Sequence, residues 1–85
     1  MSTVYKTNLN IEGENARLIV KDERAADKGF SATLQVRGAL RSTKGRIAAE
    51  GINPLRAMQH LMSDPAALHW RNEIEAEMEN VLLAA

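Results

Sequence analysis

The side chains best suited to chemistry in this chain are two histidines, four serines and a run of carboxylates near the C-terminus. A helical zinc site takes histidines one turn apart, whereas His60 and His69 lie nine apart across Ser63-Asp64-Pro65. At about 100° per residue, His60 falls about 140° from Leu55, and His69 about 140° from Ile74. Both are therefore expected to face water. Ser2, Ser31, Ser42 and Ser63 fall at a terminus, on a polar strand face, near a turn and at a helix start, none in a strained nucleophile elbow. Cysteine is absent, which excludes a disulfide, a thiolate nucleophile and a cysteine metal site.

Glycines 13, 29, 38, 45 and 51 are scattered at strand ends and form no phosphate-cradling loop. Glu73, Glu75, Glu77 and Glu79 alternate around a helix. A general acid and base would need surroundings that push two of their pKa values apart, and the pattern offers none. An enzyme is therefore not expected, and neither is a metal or a cofactor.

Charge is uneven along the chain although it sums to zero. Residues 1–62 carry ten basic and six acidic side chains, and residues 63–85 carry Arg71 against five acids. The basic half is densest at Arg37, Arg41, Lys44 and Arg46. Zero net charge disfavours direct nucleic-acid binding, since phosphate neutralisation supplies most nonspecific affinity. No aromatic side chain sits beside the basic cluster to stack on bases.

Eighty-five residues give one small domain, 1–85, with 45% hydrophobic and 26% charged residues, an ordinary composition for a folded chain. No apolar run approaches the roughly 20 residues of a membrane helix. Met1 to Lys6 lacks the layout of a secretory signal, so a cytoplasmic protein without membrane attachment is expected.

Apolar periodicity places the elements. Tyr5, Thr7, Leu9 and Ile11 alternate with polar residues, as do Ala16, Leu18 and Val20, and again Phe30, Ala32, Leu34 and Val36. These predict strands over about 4–12, 16–22 and 30–37, the first two joined by a turn at Gly13-Glu14-Asn15. Residues 22–29 read as a charged loop with room for one helical turn. A further hairpin is expected over 39–50, with Ala39–Thr43 and Arg46–Glu50 flanking Lys44-Gly45. Asn53-Pro54 and Asp64-Pro65 are helix starts. They predict helices over about 54–63, on a stripe of Leu55, Met58 and Met62, and 65–83, on Ala67, Trp70, Ile74, Met78, Val81 and Leu82. Strands first and helices last give an α+β fold, an antiparallel sheet of three to four strands with two C-terminal helices packed on one face. The other face is expected to be wet, with Ile19 as its one large apolar residue.

In layout the chain resembles small anti-CRISPR proteins encoded by bacteriophages and mobile elements. The resemblance lies in a short cysteine-free chain, a sheet of polar-faced strands, and the passage from Gly45-Arg46-Ile47-Ala48-Ala49-Glu50 through Asn53-Pro54 into Ala57-Met58-Gln59. It implies a non-enzymatic inhibitor, acting in a bacterial host cell, that binds a CRISPR–Cas effector subunit and blocks target DNA binding or nuclease recruitment. It transfers no individual residue. From charge and pattern, the partner-binding candidates are Arg17, Ile19, Arg37, Arg41, Lys44 and Arg46, because arginine is enriched at interface hot spots. Glu73, Glu75 and Glu79 offer an alternative binding face that could imitate a phosphate row. Two other functions stay open: a small nucleic-acid-binding or regulatory protein using the basic hairpin, and a homodimeric assembly subunit.

Overall fold

A computed structural model describes residues 2–37 and 45–84. Within these residues four strands form one antiparallel sheet in the order β1-β2-β3-β4: β1 (Ser2–Ile11), β2 (Glu14–Asp22), β3 (Phe30–Arg37) and β4 (Arg46–Gly51). Helices α1 (Pro54–Met62), α2 (Arg71–Ala76) and α3 (Met78–Ala84) follow, with a 3₁₀ segment at Pro65–Trp70. The fold is α+β, as the order of periodicities predicts.

The first turn is shorter than expected. Glu12 and Gly13 take φ of 49° and 89°, the positive pair of a two-residue type I′ hairpin, whose twist matches that of the flanking strands. Glu14 and Asn15 therefore belong to β2 rather than to the turn. Asn10 Nδ2 donates to Asn15 Oδ1 at 2.7 Å across the pair. The charged loop contains one 3₁₀ turn, Arg24–Ala26. Before it, Arg24 closes on Asp22 through Nε at 3.0 Å and Nη2 at 2.7 Å.

The second arm of the expected hairpin is present as β4, and its described partner is β3. Arg46–Gly51 pairs with β3, Gln35 opposite Arg46 and Phe30 opposite Gly51, and Val36 N donates to Gly45 O at 2.6 Å. Leu34 and Ile47 thus share the core face. Positions 39–43 lie outside the described residues. Where β4 ends, a Cβ on Gly51 would stand 2.4 Å from Ala57 N, so only glycine lets α1 come this close.

Asn53 Oδ1 accepts from Arg56 N at 2.8 Å and Pro54 opens α1, the expected cap. The buried face of α1 is Ala57, Met58 and Leu61, with Leu55 and Met62 half-buried, a small rotation from the predicted stripe. Asp64 Oδ1 likewise accepts from Ala66 N at 2.9 Å. Beyond it the single helix expected over 65–83 is three pieces. Pro65–Trp70 winds as 3₁₀, and Glu77 separates α2 from α3 with its N–H bonded to Ile74 O at 3.0 Å. The tighter winding spaces Ala67 and Trp70 three apart on the buried side, and the stop at Glu77 turns Val81 inward. Leu82, predicted in the stripe, is 60% exposed.

One core joins the layers. Leu9, Ala16, Leu18, Val20, Ala32 and Leu34 from the sheet meet Met58, Leu61, Trp70, Ile74 and Val81 from the helices. Those strand positions have one parity, and residues of the other parity form a face that none of the described helices covers.

Candidate functional site

The strand registers arrange the uncovered face as rows. Thr3, Lys21, Ser31 and Glu50 make one row, Lys6, Ile19, Thr33 and Ala48 the next, and Asn8, Arg17, Gln35 and Arg46 the third. Asn10, Asn15 and Arg37 begin a fourth. Adjacent strands are about 4.8 Å apart, so Arg17 and Arg46, two strands apart in one row, spring from backbones roughly 10 Å apart.

Four of the six predicted binding residues are therefore brought together. Arg17, Ile19, Arg37 and Arg46 all occupy positions of this face, with Ile19 half-buried between Lys6 and Thr33. Arg41 and Lys44 lie outside the described residues. Among those described, the face sets Lys6, Arg17, Lys21 and Arg46 against the carboxylates of Glu23 and Glu50. It is net basic.

The face departs from expectation in one respect: its middle is not wet. Ser31 and Thr33 are each only 8% exposed. Their short side chains, with Ala48 beside them, form the floor of a trough of about 450 Å³ walled by Glu23, Arg46 and Glu50. Ser31 Oγ donates to Glu23 Oε2 at 3.3 Å, which satisfies a hydroxyl that burial would otherwise penalise. A trough with a neutral floor and charged walls suits an inserted side chain whose polar end reaches the rim.

The alternative acidic face spans a break in the helix. Glu73 and Glu75 are on α2 and Glu79 is on α3, with the break at Glu77 between them. Glu73 and Glu79 stand in the first turns of their helices, where a carboxylate offsets the helix dipole. Glu77 is committed elsewhere, accepting from Tyr5 Oη at 2.6 Å.

Both histidines are exposed, as expected, but neither is free. His60 Nδ1 meets Glu50 O at 2.6 Å, and His69 Nε2 meets Glu14 Oε1 at 3.1 Å. The first contact ties α1 to the end of β4 and the second ties the 3₁₀ segment to the start of β2. Around His60 lies a second hollow of about 540 Å³, open to solvent, whose lining includes Asp27, Lys28, Glu50 and Arg56. Sequence reasoning missed it because its walls come from three separate stretches of chain. Among the described residues no three His, Asp or Glu side chains are grouped to hold a metal ion.

Comparison of the chain with protein-family models, with curated proteins and with solved structures found no match in any of the three.

Proposed function

We propose that this chain is a non-enzymatic binding protein that docks the uncovered face of its sheet onto an acidic surface of a protein target and thereby blocks it. The observation that carries the reading is the row placement of Arg17 and Arg46 beside the half-buried Ile19 and the recessed Thr33. Guanidinium forks bind carboxylates through paired, charge-assisted hydrogen bonds, and a desolvated apolar centre with an arginine rim is a productive hot-spot arrangement. The described part of the molecule measures 35 × 25 × 21 Å. A stable interface covers about 800 Å² on each partner, which is on the scale of one whole face. The layout resemblance to anti-CRISPR proteins supports a CRISPR–Cas effector subunit as the target and occlusion as the mode of action.

The test is binding of the purified protein to a panel of effector complexes, with target-DNA binding and cleavage measured alongside. The wild type should bind one class of effector and inhibit it, and the double substitution Arg17→Glu with Arg46→Glu should abolish both effects while the fold persists. Glu75→Lys with Glu79→Lys should change binding little. Failure to bind any effector, or loss of binding only in the Glu variant, would overturn the proposal.

A further inference from the structure

Among the described residues, strand β1 lies at the edge of the sheet and is bonded on one side only. In a two-residue type I′ hairpin the flanking residues, here Ile11 and Glu14, exchange both backbone hydrogen bonds, and bonded pairs recur at every second position. These are Leu9 with Ala16, Thr7 with Leu18 and Tyr5 with Val20. Lys6, Asn8 and Asn10 therefore aim their N–H and C=O groups out of the sheet, and among the described residues nothing bonds to them. This free edge has two stops. The register slips at Val4, between Thr3 and Tyr5, and the chain turns at Glu12. Between them runs 5–11, with Asn8 at its midpoint.

We propose that this edge pairs with the same edge of a second copy, antiparallel, about a two-fold axis through Asn8. Asn8 then stands opposite Asn8 of the other copy, Lys6 opposite Asn10, Thr7 opposite Leu9, and Tyr5 opposite Ile11. All three outward residues enter bonded pairs in this register. A register centred on Thr7 sets Asn10 against the Val4 slip, and one centred on Leu9 sets Lys6 against the turn. One centred on Lys6 opposes two ammonium groups, which is unfavourable.

Charge favours a second copy as the occupant. Lys6 is the one charged side chain in 5–11, and this register places it a diagonal step from Glu12 of the other copy. Tyr5 and Ile11, half-buried in the single chain, cover one another on the core side. The two sheets become continuous, and their uncovered faces lie side by side.

Light scattering across a dilution series tests this. The wild type should be a dimer that dissociates on dilution, and Asn8→Pro should be a folded monomer. Proline is tolerated where the replaced N–H points away from the sheet, so the β1–β2 ladder stays intact. Should Asn8→Pro not fold, the charged variants decide. Asn8→Lys and Asn8→Glu should each self-associate several-fold more weakly, and an equimolar mixture of the two should dimerise. Arg17→Glu with Arg46→Glu should leave the association state unchanged, so this proposal and the proposed function fail separately. A wild type that stays monomeric to roughly millimolar concentration, a folded Asn8→Pro that still dimerises, or charged variants that do not dimerise on mixing would overturn it.

Discussion

The phenol of Tyr5 donates to Glu77 Oε1 at 2.6 Å, joining the first strand to the residue at which the C-terminal helix breaks, 72 positions away. Glu77 Oε1 also accepts from Asn80 Nδ2 at 3.1 Å, so one carboxylate oxygen takes both bonds. The bond raises the Tyr5 pKa above the ordinary 10.0, with burial and the Glu77 charge adding to it. Because the folded state holds the phenol proton more tightly than the unfolded state, the contribution to stability is complete below pH 10.0. It is lost as pH rises through the raised folded value. Tyr5 is the only tyrosine, so the absorbance of its phenolate reports the titration directly. Its midpoint should lie above 10.0, and Glu77→Gln should bring it down. Tyr5→Phe should cost about 1 kcal/mol in denaturant melts.

Trp70 is 3% exposed and lies in the cluster with Leu18, Val20, Leu34 and Ile74. Trp70→Ala should therefore lower stability by about 3–5 kcal/mol. In a chain this short that is much of the total, expected at about 4–13 kcal/mol. A melting curve that matched the wild type would contradict this packing.

Asp22 accepts two guanidinium bonds and the backbone N–H of Arg24, which lower its pKa from 3.8 to about 2. The depressed carboxyl contributes stability above pH 3.8 that is lost as pH falls through about 2. A carboxyl-detected NMR titration should find Asp22 among the last carboxylates to protonate. Arg24→Gln should return its midpoint part of the way, since the backbone bond remains.

Gly51 has no room for a side chain against the start of α1. Gly51→Ala places its Cβ 2.4 Å from Ala57 N and 2.7 Å from Arg56 C, backbone atoms that cannot swing aside. It should destabilise by about 1–3 kcal/mol, read as a lower denaturant midpoint. Gly13, where a Cβ would meet nothing within 4 Å, is the comparison site. Gly13→Ala carries only the strain of φ at +89°.

The strands were legible because burial on one face writes a period of two into residues 5–11, 16–20 and 30–36, and the caps at Asn53 and Asp64 because side-chain oxygen precedes proline at both. The arginine cluster followed from the same parity: 17, 19 and 37 share a face in any register that keeps Leu18 and Leu34 together on the core side, and the pairing of Gln35 with Arg46 adds the last. What escaped depends on contacts between distant segments. A helical stripe through Trp70, Ile74 and Met78 carries no mark of the stop at Glu77, which answers a tyrosine at the other end of the chain. The recess at Ser31 and Thr33 is equally silent, since short polar residues are buried only when longer neighbours on other strands shade them. The partner of β4 was missed because Arg46–Glu50 has little apolar content of its own and takes its register from β3.

The division of each strand into a covered and an uncovered parity has an evolutionary consequence. Positions 17, 19, 46 and 48 point to one side of the sheet and 18, 34 and 47 to the other, so a sequence can rewrite the first set while the second keeps the melting temperature. A protein that must follow a changing target benefits from such a separation: its recognition surface can drift quickly over an unaltered scaffold. Descendants of one ancestor would then diverge fastest at these outward positions and retain a common pattern of leucine, valine and tryptophan beneath them.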